Sequence, residues 1–250
     1  MSLATSSSGR AAPGAALPRA IRAIAFDLDN TLWDVGPVIL RAEQAVHEWL
    51  REHCPRITER VSVEEMRAAR ERLARAEPHH AHDFTYLRIT ALAAHARDCG
   101  YEEEVAARAF EVFFAARNEL EPYADVQPAL ECLRTRYALA SLSNGNADLA
   151  LIGLAPLFSV SLNARQIGVA KPHPRCFEHL ARGLRLDPWE ILYVGDDPFL
   201  DVAAARGAGL STAWMNRSQA SWPPELEPAD LDVSDCMQLA EQLEALAAPP

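Results

Sequence analysis

Apolar residues fall along this chain in two rhythms. Short apolar runs at 24–26, 138–142, 159–162, 191–194 and 211–214 have the length of strands buried on both faces, and 231–233 adds a candidate edge strand. Between 38 and 120 the runs give way to helical spacing. There Ile39, Ala42, Val46, Trp49 and Leu50 make one apolar face. Ser62-Val63-Glu64-Glu65 reads as a capping box opening a second helix, with Met66, Ala69 and Leu73 inward and Pro78 as its stop. Asp83 caps a third helix carrying Leu87, Ala91, Leu92 and Ala94, which ends near Gly100. A fourth, over 102–117, turns Val105, Ala109, Phe110 and Phe113 to one side. The Gly36-Pro37 pair predicts a break between the first strand and this helical stretch. Helical segments at 125–136 and 237–246 complete the pattern. Arg206-Gly207-Ala208-Gly209 precedes a strand rather than following one, the wrong order for a dinucleotide loop, so it reads as a helix stop.

Strands alternating with helices imply an α/β fold with a mostly parallel sheet and helices on both faces. The helical stretch interrupts that rhythm directly after the first strand. The expected division is an α/β core over 19–35 and 121–250, an all-α insert over 36–120, and a leader at 1–18. The leader is rich in Ser, Ala, Gly and Pro and has no apolar segment of the signal-peptide kind, so it is expected to be disordered. With 250 residues, 49% apolar and 24% charged, the chain has ample material for a core and the balance of a globular protein. Its net charge of −11 argues against nucleic acid or anionic membranes as partners, and no apolar run approaches the roughly 20 residues a membrane span needs. Five scattered cysteines without CxxC spacing read as reduced thiols, and a cytoplasmic location is expected.

The candidate chemistry lies at strand ends. The run 24–26 finishes in Asp27-Leu28-Asp29-Asn30-Thr31-Leu32, two carboxylates one residue apart. Buried carboxylates need a partner or a cation, and ligands of open α/β sheets bind at strand C-termini, so the pair points to a hard cation or a phosphoryl group. The run 138–142 ends in Ser143-Asn144-Gly145-Asn146, a hydroxyl and an amide at a turn. Lys171 stands in Gly168-Val169-Ala170-Lys171-Pro172, and 191–194 ends in Gly195-Asp196-Asp197-Pro198-Phe199-Leu200-Asp201. Taken singly, each segment has a plainer reading: caps and turns for the acids and for Ser143-Asn144, a solvated charge for Lys171, an Asx turn before Pro198 for Asp197.

Together, and in this order, they resemble the motifs of the haloacid dehalogenase (HAD) superfamily, with Asp27 to Leu32 matching its DxDx(T/V) signature. The resemblance covers about 21 to 245 and implies a Rossmann-like core with a helical cap inserted after the first strand. It further implies a phosphatase in which Asp27 attacks phosphorus and Asp29 acts as acid and base. Ser143, Asn144 and Lys171 would hold the phosphoryl oxygens. Mg²⁺ would be bound by the Asp27 carboxylate, the Asp29 backbone carbonyl and the Asp196 carboxylate, with Asp197 and Asp201 orienting these groups. The charge pattern agrees: five acids against one lysine call for a divalent cation with oxygen ligands, and Mg²⁺ accepts a few carboxylates while keeping waters.

The wording Asp29-Asn30-Thr31-Leu32-Trp33-Asp34, followed by Pro37 to Glu43 and by His82-Asp83-Phe84-Thr85 and Arg88, resembles bacterial HAD phosphatases of flavin metabolism. Members of that group act on FMN or a phosphoribitylamino-pyrimidine. The expected partner is therefore a small phosphorylated metabolite, bound by a monomer or homodimer. The cap is expected to set substrate choice rather than chemistry, with His82 and Arg88 as candidate contacts; Arg88 otherwise reads as a solvated helix face. Glu77-Pro78-His79-His80-Ala81-His82-Asp83 reads as structural or substrate-facing in preference to a metal site. A 2-haloacid dehalogenase shares the fold and nucleophile but lacks the second aspartate. A phosphomutase would use the same residues. A non-catalytic binding or regulatory module would be expected to have lost Asp27, Asp29, Lys171 or Asp196, and all four are present.

Overall fold

The computed structural model describes residues 21–247, so the expected leader lies outside the described residues. Six strands form one sheet in the order β3-β2-β1-β4-β5-β6: β1 (Ala23–Phe26), β2 (Ala138–Ser143), β3 (Val160–Asn163), β4 (Ile191–Gly195), β5 (Ser211–Met215) and β6 (Leu231–Val233). Every pairing among them is parallel. All six runs seen in the sequence are strands, including the short edge run at 231–233.

The sheet is buried on both faces, which explains why β1 reads as an unbroken apolar run. Ile24 and Phe26 pack on one side with Val126, Leu130, Leu239 and Leu243, while Ala23 and Ala25 pack on the other with Phe177, Leu180 and Tyr193. β1 lies between β2 and β4, where the strand order reverses. In a doubly wound sheet that reversal opens a crevice at the strand C-termini. Phe26 is level with Ser141 on β2 and Val194 on β4, so the residues just after all three strands meet at one edge.

Between β1 and the core helix α6 (Val126–Leu133) run α1 (Val35–His53), the single turn α2 (Pro55–Thr58), α3 (Val63–Ala76), α4 (Phe84–Asp98) and α5 (Val105–Asn118). They bury an apolar cluster of their own around Leu50, Ile57, Leu92 and Phe113. The capping box is present: Ser62 Oγ accepts from Glu65 N–H and the Glu65 carboxylate accepts from Ser62 N–H. Asp83 caps α4 by accepting from Tyr86 N–H. One expectation fails. Gly36-Pro37 is no break, because both lie in the first turn of α1, capped by Asp34. Proline is tolerated there, where its missing N–H has no helical partner to lose.

The rest of the core carries the one-turn helices α7 (Leu149–Ile152) and α8 (Ala164–Ile167), then α9 (Arg175–Leu184), α10 (Ala204–Gly207) and α11 (Cys236–Ala247). The 206–209 segment ends α10 with Gly209 at φ +86° before β5, a helix stop as read. No helix among the described residues is long and apolar enough to cross a membrane.

Candidate active site

Asp27 continues β1 by one residue: its N–H donates to Val194 O at 2.8 Å, which fixes its side chain at the crevice floor, 6% exposed. The chain then turns tightly. Thr31 and Leu32 N–H both donate to Leu28 O, and Asn30 sits at φ +61°, a left-handed conformation that asparagine tolerates better than most residues. The turn brings Trp33 back, so that its Nε1–H donates to Asp29 Oδ1 at 2.7 Å.

Lys171 reaches the same floor from the loop after α8. Its ammonium donates to Asp27 Oδ1 at 2.6 Å, Asp201 Oδ1 at 2.6 Å and the Tyr193 hydroxyl at 2.8 Å. Tyr193, in the middle of β4, donates its own hydroxyl hydrogen bond to Leu142 O at 2.8 Å. Burial opposes charge on Lys171, but Asp201 and Asp27 outweigh it and hold the ammonium protonated well above its ordinary range. Burial also pushes Asp27 well up; Lys171 works against this, and the negative charges of Asp201 and Asp29 add to it. The two shifts pull opposite ways on one bond. The charge count decides between them: one buried ammonium faces two carboxylates, so Lys171 keeps its proton and the group retains surplus negative charge that a further cation would offset.

Asp196 is beside this group. Burial, then Asp201, pushes its carboxyl up to about 6. Trp214 Nε1–H fixes its backbone oxygen at 2.8 Å, and the Thr31 hydroxyl lies 3.5 Å from Oδ1. Carboxylate oxygens of Asp27, Asp196 and Asp201 come within 4.8 Å of one another. Three acids so close, two of them with raised pKa values, fit a hard divalent cation.

Two predicted residues do other work. Asn144 is bonded to the Lys171 backbone, accepting from Lys171 N–H at 2.8 Å and donating to Lys171 O at 3.0 Å. Its amide therefore clamps the lysine segment instead of facing a phosphate. Asp197 Oδ1 accepts from the N–H groups of Phe199 and Leu200 and caps the turn presenting Asp201, so its carboxylate serves the local fold. Ser143 Oγ accepts from Gly145 N–H at 3.0 Å, which leaves the hydroxyl proton for an anion.

The helical insert contributes more than expected. Arg117, at the end of α5 and 1% exposed, donates to Asp29 Oδ1 at 2.5 Å. Next to it, Asn118 Oδ1 accepts from Asp148 N–H at 2.8 Å. Sequence reasoning missed Arg117, although it continues the buried stripe of Ala106, Ala109 and Phe113 at i+4. A charge on a buried stripe was the available signal.

Glu43, 4% exposed, is similar: it gathers Arg67 at 2.5 Å, Arg70, and Arg88 at 3.5 Å. The candidate contact Arg88 thus lies against Glu43, with its guanidinium 3.5 Å over the Phe113 ring; burial, then Arg70, pushes it down to about 9. Glu43, Arg67, Arg70 and Arg88 line a cavity of about 370 Å³ together with Phe84, Leu87 and Asn146 of the loop after β2. Arg88 is therefore no solvated helix face. His82 is half-buried and is not among the residues lining that cavity. Glu77, His79 and His80 form a separate group near it, in which the Tyr86 hydroxyl already donates to Glu77 and His80 stacks on Tyr86.

Asp27, Asp29, Ser143, Lys171 and Asp196 thus meet at one sheet edge beneath an inserted helical layer. A sequence model of haloacid dehalogenase-like hydrolases matches residues 21–209, and the chain belongs to that family. It is 32% identical over 199 residues to the 5-amino-6-(5-phospho-D-ribitylamino)uracil phosphatase YigB of Escherichia coli, covering 78% of this chain and 83% of that one. It is 36% identical to a phosphoserine phosphatase of Thermus thermophilus, over 58% of this chain and 61% of the relative. Among solved structures, a 2-haloacid dehalogenase of Pseudomonas syringae superposes with TM-score 0.85 at 35% identity, covering 90% of this chain and 99% of that one. Phosphatases and dehalogenases both stand among its relatives.

Proposed function

We propose that the chain is a Mg²⁺-dependent phosphatase hydrolysing a small organic phosphomonoester through an aspartyl-phosphate on Asp27. One observation carries this reading: Asp27, Asp196 and Asp201 crowd their carboxylates within 4.8 Å around a single ammonium. A phosphatase uses that surplus negative charge to hold a cation, whereas a dehalogenase has no need of one. Asp29 adds support, since a dehalogenase lacks this second aspartate.

In this reaction an Asp27 oxygen attacks phosphorus in line and the ester oxygen departs. Asp29 protonates the departing oxygen, then takes a proton from the water that hydrolyses the aspartyl-phosphate. The Lys171 ammonium and the Ser143 hydroxyl donate to phosphoryl oxygens, while Asn144 and Asp201 hold Lys171 in place. The carboxylates of Asp27 and Asp196 with the Asp29 backbone carbonyl would hold Mg²⁺, which would supply charge neutralisation at the phosphoryl group when bound.

Similarity to YigB makes the phosphoribitylamino-pyrimidine the first substrate to test, and the resemblance to phosphatases of flavin metabolism adds FMN, with the cap cavity and Arg88 receiving the leaving group. We place the enzyme in the cytoplasm, as a monomer or homodimer acting on a free metabolite. The test is a panel of phosphorylated metabolites assayed with Mg²⁺ and with EDTA, and with Asp27→Asn as control. Phosphate release that needs Mg²⁺ and is lost in the variant is expected. Halide release from a 2-haloacid in EDTA, without phosphate release from any ester, would replace this reading with the dehalogenase one.

A further inference from the structure

The bond between Arg117 and Asp29 joins a buried guanidinium of the insert to the proposed acid of the core. Its geometry is unlike that of the structural arginine nearby. Arg217 spends its guanidinium fully: Nη1 and Nη2 grip both oxygens of Asp125 at 3.0 and 2.8 Å, and Nε donates to Thr31 O at 2.9 Å. Among the described residues Arg117 makes a single bond, through Nη2, and its buried Nη1 has no acceptor. Burying a guanidinium is costly, and a buried N–H without a partner adds about 1–3 kcal/mol. Nη1 is thus a buried donor left free beside the proposed acid.

Asp29 is asymmetric in the same way. Oδ1 is held from two sides, by Arg117 and by Trp33 Nε1 at 2.7 Å. Oδ2 faces Gly145, where any Cβ would sit 2.6 Å from it. Glycine at 145 therefore keeps open the approach to the Asp29 oxygen that makes no hydrogen bond among the described residues.

We propose that Arg117 is a positioning residue for the acid–base step. It anchors Oδ1 so that Oδ2 alone carries the proton, and it keeps Nη1 for an oxygen of the bound ester. The proton on Oδ2 passes to the departing ester oxygen as the P–O bond breaks, and Oδ2 regains a proton from the attacking water. The inference rests on the phosphatase reading and assigns the insert a part in the chemistry itself.

The test compares kcat/KM for β-glycerol phosphate, whose alkoxide must be protonated to leave, with that for p-nitrophenyl phosphate, whose phenolate leaves unaided. kcat/KM reports steps up to transfer of the phosphoryl group, before water attacks. Arg117→Met should lower the alkyl value by about 10²-fold or more and the aryl value only a few-fold, with Arg117→Lys recovering part of the loss. Gly145→Ala, whose Cβ would crowd Oδ2 at 2.6 Å and meet the Arg117 guanidinium only at an ordinary contact distance of 3.6 Å, should discriminate the same way and keeps the test alive if Arg117 variants fail to fold. Equal losses on both esters, or no loss on the alkyl ester, would overturn the role. Absence of Mg²⁺-dependent turnover by the wild-type chain on either ester would overturn the phosphatase reading, and this role with it.

Discussion

Tyr193 shows how much of the site is held from within the sheet. Its hydroxyl accepts from Lys171 and donates to Leu142 O, with the ring edge-on to Phe177 at 5.2 Å between centroids. Tyr193→Phe removes one of three acceptors around the ammonium and leaves a buried carbonyl unpaired. Its cost should be about 1–3 kcal/mol of stability in denaturant unfolding, with turnover reduced less than ten-fold because Asp27 and Asp201 still hold Lys171. A loss as large as that of a Lys171 variant would make the hydroxyl a reacting group. Residues of this kind were the hardest to read from sequence. Asp27, Asp29, Ser143 and Asp196 stand out in the sequence as polar groups following apolar runs, and Lys171 as a lysine between glycine and proline punctuation. Tyr193 is one more strand residue in the apolar run of β4, and Arg117 one more arginine on a helix, until the fold brings their partners to them. The resemblance gives Asn144 a phosphate-binding role and Asp197 an orienting one, with an Asx turn before Pro198 as the plainer reading of Asp197. In the fold the Asn144 amide is taken by the backbone of Lys171, 27 residues on, and Asp197 by the nearby N–H groups of Phe199 and Leu200.

Three helices of the insert are tied by one carboxylate. Glu43 on α1 draws Arg67 and Arg70 from α3 and Arg88 from α4. Burial raises its pKa, but the three arginines outweigh burial and hold it below the ordinary value of 4.5. A lowered folded-state pKa means stability that is fully present above the ordinary carboxylate range and lost as pH falls through the folded value. Glu43→Gln should therefore cost roughly 2–4 kcal/mol near neutrality. The difference in thermal midpoint between wild type and variant should shrink as pH is lowered from about 6 to about 3. A gap that stays constant over that range would mean packing, not charge, accounts for the loss. The helices themselves were visible in the sequence through their caps and stripes. What pairs with what was not, since Glu43 lies 24 residues from Arg67 in the chain.

At the scale of the whole molecule, the insert leaves the sheet after β1 and returns before α6, and it touches the core through a few polar contacts. Besides Arg117, these include Arg165 with Asp83 at 3.3 Å and Asn146 with Thr85 at 3.3 Å. Arg88→Ala should lower kcat/KM for an extended, preferred substrate about ten- to a hundred-fold more than for p-nitrophenyl phosphate, the worth of one charged hydrogen bond. Equal losses on both would assign Arg88 to holding Glu43 alone. The separation of apolar clusters has a further consequence, for heat. The insert's cluster around Leu50 and Phe113 shares no residue with the two that sandwich the sheet. Differential scanning calorimetry should accordingly record two overlapping absorption peaks, with a summed enthalpy exceeding the van't Hoff value. Mg²⁺ should displace the peak of the sheet unit upward more than that of the helices, because its proposed ligands all follow β1 and β4.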